Sequence, residues 1–250
     1  MGRKQSEASP ESSVHNGDHS SMTELSQDTR QPVSQLLLAA ADDKFVLGHH
    51  ISDWTGLAPI LEADIAFSAI AQEEIAHAQA LYELVAPILA TSADALAFGR
   101  EPSAYRCAAL VELSDGSDWS LAVVRQLLCD HFDALRLERF SKSTYQPLAS
   151  LSARLMREES VHVEHANGWI SALGRGSQES TQRMQKAMDQ LAPVASSLFE
   201  PVADQNKLED DGLYPRLDGD MFERWSSKLT RIATDAGLTL TLSPPSANAL

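Results

Sequence analysis

The stretch AQEEIAHAQALY, residues 71–82, places Glu74 and His77 three residues apart inside an otherwise apolar helical pattern. Side chains at this spacing project from the same face of a helix. The helical neighbours of Glu74 are apolar, namely Phe67, Ile70, Ala71, Ala78 and Leu81. A buried carboxylate without a partner is costly or is forced into its neutral form. The pattern therefore predicts a shared partner for the two polar side chains.

The same arrangement occurs again in REESVHVEH, residues 157–165, where Glu159 and His162 share an apolar face. Asp130 lies alone in a third apolar stripe, 29 residues before Glu159, with a predicted turn midway between them. Residues equally far from the turn of a helical hairpin lie at the same height on its two helices. Bundles that bind two metal ions use this layout, with an acid on two helices and Glu-x-x-His on the other two.

The fourth acid is replaced by Lys44, 30 residues before Glu74 in an apolar stripe of the first helix. An inward-facing ammonium is costly unless it is paired. We expect Lys44 to insert among Glu74, Asp130 and Glu159 and to supply the charge that a metal would otherwise bring.

An alternative retains the metal centre, which iron could occupy through the candidate ligands Glu74, His77, Asp130, Glu159 and His162. Asp43 would then substitute for the missing ligand, although adjacent helix residues point about 100° apart, so the first helix would have to rotate. The flanking Glu73 and Glu158 are expected at the surface or around the ligands.

Helical periodicity continues through most of the chain, and no alternating strand pattern interrupts it, which predicts an all-α fold. Long helices are expected at about 33–54, 59–89, 118–141, 147–174 and 177–199, with a short helix pair at 94–113. We predict a disordered tail at 1–31, a helical bundle at 32–203, and an extension at 204–250 with one helix, at about 220–236, and a flexible end.

Composition excludes several classes of function. The net charge of −15 and the lack of a basic patch argue against nucleic-acid and anionic-membrane binding. No apolar run approaches the roughly 20 residues that span a bilayer. The two cysteines, Cys107 and Cys129, show no paired spacing, which suits a reducing cytoplasm.

Several long stretches resemble one known family. They are LAAADDKFVLGHHISDWTGLAPILEADIAFSAIAQEEIAHAQALYELV, DALAFGREPSAYRCAALVEL, the segment from DWSLAVVRQLL to STQRMQ, and LAPVASSLFEP, which together span about residues 35–202. They are similar to the C-type subunits of bacterial phenylacetyl-CoA epoxidases, which are multicomponent monooxygenases.

The resemblance implies a ferritin-like four-helix bundle with additional C-terminal helices. It also implies a structural subunit that is inactive alone and pairs with a catalytic di-iron A-type subunit and other epoxidase components. Glu74, His77, Asp130, Glu159 and His162 match the ligand positions of ligand-complete relatives, whereas Lys44 stands where those relatives carry Glu.

Three functions remain open from the sequence. A scaffold subunit is the preferred one, an oxygen-activating di-iron oxygenase subunit is the main alternative, and an iron store is the third. An ammonium inside the centre favours the scaffold subunit. Oxygen activation by paired metals needs two adjacent cations with open coordination positions, and the ammonium would repel both cations.

Overall fold

The structure is a computed structural model, and it describes residues 25–245. Within this range it contains nine α-helices and no β-strand, which confirms the predicted all-α, ferritin-like bundle. The helices are α1 (Arg30–Ser52), α2 (Leu61–Val85), α3 (Ala93–Phe98), α4 (Ala109–Glu112), α5 (Trp119–Ser141), α6 (Gln146–Gly174), α7 (Gln178–Leu191), α8 (Gln205–Asp210) and α9 (Met221–Asp235).

Two long hairpins form the bundle, α1 with α2 and α5 with α6. Helix α2 contacts α6, while buried charged side chains of α1 reach α5. Helices α7 and α9 cover the α5–α6 hairpin. The four long helices therefore surround a common interior to which each contributes one face.

Prolines explain where the helices depart from their predicted ends. Helix α2 ends at Val85 rather than near residue 89, because Pro87 has no N–H to continue the helical ladder. Pro193 similarly ends α7 at Leu191, and Ala192–Phe199 continues as a 3₁₀ segment. The segment expected to be a short helix pair contains α3, the 3₁₀ turn Pro102–Ala104 and α4.

The two ends of the chain differ in part from the prediction. Helix α1 begins at Arg30, inside the segment predicted as a tail, and Thr29 before it is buried. The rest of the predicted tail, residues 1–24, and the last part of the predicted flexible end, 246–250, lie outside the described residues. The extension contains the short helix α8 as well as the expected helix α9.

The interior has two apolar regions separated by a layer of charged side chains. On each long helix, the apolar residues of one region precede the charged residues and those of the other follow them. This charged layer comprises Asp43, Lys44, Glu74, His77, Asp130, Asp133, Glu159 and His162, all of them buried. No helix among residues 25–245 is long and apolar enough to cross a bilayer.

Candidate metal centre

Lys44 lies at the middle of the charged layer, with only 2% of its surface exposed. Its ammonium donates to Glu74 from the neighbouring α2, with Nζ 3.0 Å from Oε1 and 2.9 Å from Oε2. It also donates to Oε2 of Glu159 on α6, at 2.6 Å. Both of these partners are those that the sequence spacing predicts.

The third partner is Asp133, whose Oδ2 lies 2.7 Å from Lys44 Nζ, and not the expected Asp130. Asp130 and Asp133 lie three residues apart on the inward side of α5. The apolar stripe of this helix therefore does not show which of them pairs with Lys44. Asp133 is held by Arg136, one turn further along the same helix. The signal that sequence analysis missed is this Asp-x-x-Arg pair, since a buried arginine also needs a carboxylate.

The surrounding charges keep the ammonium of Lys44 protonated and the carboxylate of Glu74 ionised. Burial alone lowers the pKa of Lys44, but Asp133, Glu159 and Glu74 together raise it well above the ordinary lysine value. Burial alone raises the pKa of Glu74, yet Lys44 and His162 bring it down to about 2. Lys44 and Glu74 therefore form an ion pair at neutral pH.

Asp43, the candidate substitute ligand, faces another partner. Its Oδ2 accepts from Arg136 Nη1 at 2.7 Å, and its Oδ1 accepts from the backbone N–H of Ala108 at 2.9 Å. Burial raises its pKa to about 6. The first helix is not rotated toward the centre, so the structure does not bring Asp43 to the other candidate ligands.

Four of the sequence-predicted ligands converge beside the ammonium. One side-chain atom each of Glu74, Asp130, Glu159 and His162 lies within 4.8 Å of the others, and all four residues are buried. Neither oxygen of Asp130 has a hydrogen-bond partner among the described residues, and the same holds for Oε1 of Glu159. Burial, together with the charge of Glu159, raises the pKa of Asp130 well above its ordinary value. These carboxylate and imidazole groups could hold a metal ion.

The two histidines are oriented by glutamates from the opposite hairpin. His77 Nε2 lies 2.7 Å from Oε2 of Glu158, and His162 Nε2 lies 2.7 Å from Oε2 of Glu73. This leaves the Nδ1 atoms on the inner side, where His162 Nδ1 is 3.1 Å from Oε1 of Glu74. Imidazoles that bind metals commonly have a carboxylate on the other ring nitrogen, which fixes the ring.

The two rings nevertheless differ in charge. Burial lowers the pKa of His162, but Glu74 and its neighbouring acids raise it to about 10. Burial and the charge of Lys44 lower the pKa of His77, whose Nδ1 has no partner among the described residues. His162 is therefore the ring that carries a proton at neutral pH, whereas the lowered pKa of His77 favours its neutral form.

A further buried polar cluster, which sequence analysis did not identify, fixes the segment after α3. Asp42 accepts from the hydroxyl of Tyr82 at 2.6 Å and from the backbone N–H of Arg106 at 2.7 Å. It also pairs with the guanidinium of Arg100. Because the contacts join α1 and α2 to a loop, this cluster is structural.

Comparison with known proteins identifies the family of this chain. The profile of the phenylacetic acid catabolic protein family matches residues 18–248. The chain is also 28% identical over 177 residues to the C-type subunit of the 1,2-phenylacetyl-CoA epoxidase of Escherichia coli K12, covering 70% of this chain and 71% of that protein. The family match spans all four long helices and the charged layer between them, and we conclude that the chain belongs to the phenylacetic acid catabolic protein family.

Proposed function

We propose that this chain is a non-catalytic subunit of a multicomponent phenylacetyl-CoA epoxidase in aerobic phenylacetate degradation. It would pair with a related catalytic subunit that carries the di-iron centre, and with the other components of the epoxidase. The similarity to a C-type epoxidase subunit supports the assembly. The single observation that carries the non-catalytic role is the position of the Lys44 ammonium between Glu74 and Glu159.

Paired-metal oxygen chemistry requires two cations that share carboxylate ligands and keep open coordination positions. Glu74 and Glu159 come from opposite hairpins, and both are engaged by Lys44. A metal ion beside Lys44 would have to compete with the ammonium for these two carboxylates. The positive charge of the ammonium would also repel the ion. The residues present therefore do not fit two metal ions.

The alternative is an oxygenase subunit with its own metal centre, and one observation favours it. Glu74, Asp130, Glu159 and His162 still converge as metal ligands do. Two of the four, Glu74 and Glu159, already pair with the ammonium of Lys44, however. For this reason we prefer the supporting role.

Reconstitution would distinguish these two functions. The purified chain, after exposure to Fe²⁺, is combined with the reductase component, NADPH, oxygen and phenylacetyl-CoA, with and without the catalytic subunit. We expect epoxide only when the catalytic subunit is present, and well under two irons per chain by elemental analysis. Epoxide formation by this chain and the reductase alone would refute the non-catalytic role.

An exposed apolar patch supports our proposal that this chain docks on a catalytic subunit. Large apolar side chains are unusually exposed at the turn into α2: Leu57, Ile60, Leu61 and Ile65, each with more than half of its surface accessible. Contiguous exposed apolar side chains commonly mark protein–protein contacts. We assign this apolar patch, residues 57–65, to the interface with the catalytic subunit.

The double substitution Leu61→Ser and Ile65→Ser tests this interface. Since both side chains are already exposed, the melting temperature should change little, whereas affinity for the catalytic subunit should fall at least about tenfold, as for interface residues of intermediate importance. Leu89→Ser, at the other end of the α2 segment and 41% exposed, is the matched control and should bind normally. Equal affinity of the double variant and the control, measured by interferometry, would place the interface elsewhere.

A further inference from the structure

Three cations from two helices line one surface depression. It measures about 440 Å³ and lies between the second half of α6 and α9. The polar residues that line it are Asn167, Ser171, Arg175, Lys228, Arg231 and Asp235. Only the last of these is an acid, whereas the clefts along the C-terminal extension match their arginines with at least as many acids. In a chain of net charge −15, this depression is therefore an electropositive site.

The protein does not neutralise these charges itself. Arg175, Lys228 and Arg231 are exposed, and none of them pairs with a carboxylate among the described residues. Exposed cations elsewhere, such as Lys142 and Arg216, do form ion pairs. Lys228 and Arg231 lie three residues apart on one face of α9, where like charges repel each other. An arrangement that lowers stability in this way is expected mainly at functional sites.

Arg175 is held in place at the edge of the depression. Its Nε and Nη2 atoms both donate to the backbone carbonyl of Asp235 at the end of α9, the first of them at 2.9 Å. Arginine has five N–H groups, so others remain available to a ligand. A cation that is positioned before binding loses less conformational entropy when an anion arrives.

The half-buried residues of the lining supply hydrogen-bond donors. Asn167 Oδ1 lies 2.9 Å from Nε2 of His131, a buried ring whose pKa is lowered by burial and by the charge of Lys228. A neutral ring with its proton on Nε2 donates to this oxygen, which turns the N–H₂ group of Asn167 away from the histidine. That group can therefore donate to a ligand, as can the hydroxyl of Ser171.

We propose that this depression binds a phosphate group, either as the free anion or at the end of a phosphomonoester. Three cations and one acid leave an excess of two positive charges, which matches a phosphate dianion better than a single carboxylate. Guanidinium groups form paired, charge-assisted hydrogen bonds with phosphate oxygens. The site goes beyond the supporting role proposed above and does not depend on it.

Calorimetric titration of the full-length chain, in a phosphate-free buffer of low ionic strength, tests the site. The probes are inorganic phosphate, coenzyme A, which ends in a 3′-phosphate, and dephospho-coenzyme A, which lacks that group. We expect one equivalent of inorganic phosphate or coenzyme A to bind, with an affinity that falls as salt screens the charges. Coenzyme A binding more tightly than both other probes would identify a phosphomonoester as the source of the group, and inorganic phosphate binding at least as tightly would identify the free anion.

A double substitution then locates the bound anion. Lys228→Gln with Arg231→Gln should weaken binding at least about tenfold, because two charge-assisted contacts are lost. Arg183→Gln with Lys186→Gln on α7 is the matched control, since these exposed cations have the same spacing and carry the same charge. The control should bind as the unaltered chain does. The melting temperature of the first variant should stay unchanged or rise, because a like-charge repulsion is removed.

Two results would overturn the proposal: no binding of inorganic phosphate or coenzyme A by the unaltered chain, or equal losses of affinity in the two double variants. None of these measurements involves the catalytic subunit. If the first variant bound phosphate normally but associated more weakly with that subunit, the depression would be a contact for an acidic protein surface and the phosphate site would be refuted. Normal phosphate binding by a chain that does not associate with that subunit would refute the supporting role alone.

Discussion

Lys44 forms ion pairs with three carboxylates, and its side chain is among the largest that are fully buried in the described residues. The pKa of Lys44 is higher in the folded protein than in the unfolded chain, where it has the ordinary lysine value. The stabilisation from its ion pairs is therefore complete below the unfolded-state pKa. It is lost only as the pH rises through the folded-state pKa. The ion pairs should therefore persist at neutral pH and be lost only under strongly alkaline conditions.

Lys44→Met tests the contribution of this residue to folding. Removing one partner of a buried ion pair leaves uncompensated charge, so we expect the free energy of unfolding to fall by about 3 kcal/mol or more in urea titrations. Lys207→Met removes an ammonium that pairs with two acids at the surface, and it should change the free energy of unfolding far less, because solvent screens exposed ion pairs. Similar losses for the two variants would mean that Lys44 does not hold the charged layer together.

At the scale of single residues, helix geometry made part of the centre predictable. Glu74 and Glu159 could be placed beside Lys44 because hairpin spacing fixes the height of each residue. The exchange of Asp130 for Asp133 was not predictable from spacing, since both acids point inward from α5. The two side chains have the same length, so which one reaches the ammonium depends on the exact height and rotation of α5, and periodicity does not define these closely enough.

At the scale of helices, close contact between α1 and α2 sets the position of the charged layer. Gly48 lies one turn after Lys44, and a Cβ atom there would come within 2.8 Å of Ile75 Cγ1 and 3.1 Å of Glu74 Cβ. The two helices can therefore approach at this level only because a side chain is absent. Their approach also places Glu74 within reach of Lys44.

Gly48→Ala should consequently destabilise the protein, although alanine favours helices. We expect a loss of about 1–3 kcal/mol from overpacking. Gly168→Ala on α6 is the matched control, because nothing lies within 4 Å of its added Cβ, and it should stabilise by about 0.5–1 kcal/mol. Urea denaturation of both variants measures the difference, and a gain in stability at both sites would contradict the close contact.

The existence of the long helices was predictable from periodicity, whereas several of their ends were not. The predicted starts at about 118 and 220 agree with the structure, in which Asp118 and Asp220 each accept a backbone N–H of the helix that follows. At α2 and α7 the apolar periodicity continues beyond a proline, and the helices predicted from it were therefore too long. The backbone hydrogen bond that proline removes outweighed the apolar pattern there.

At the scale of the whole molecule, the C-terminal extension is part of the core rather than an appendage. Trp225 of α9 is 1% exposed, packs within the same apolar region as α5 and α6, and donates from Nε1 to the carbonyl of Leu128 at 3.1 Å. The amphipathic pattern of α9 predicted a helix with one apolar face. It could not show which surface that face would cover, because this depends on the assembled hairpins.

Trp225→Ala should therefore destabilise the entire domain and not only its end. A buried tryptophan truncated to alanine costs about 3–5 kcal/mol. Trp225→Phe, which preserves much of the packing but loses the N–H donor, should cost about 1–3 kcal/mol. A single cooperative transition at lower temperature, seen by both circular dichroism and tryptophan fluorescence, is expected for Trp225→Ala. Separate transitions for the extension and the bundle would show that they fold independently.

The crossed glutamates that orient the two histidines have a consequence for the order of folding. Each hairpin carries a histidine whose outer ring nitrogen is held by a glutamate of the other hairpin, His77 by Glu158 and His162 by Glu73. In an isolated hairpin these polar groups have no partner, although they lie on the face that is buried in the folded protein. Burying that face before the second hairpin is present is therefore unfavourable. Assembly of the layer should come late, in the step that joins preformed halves, and substitutions within it should accelerate unfolding more than they slow folding.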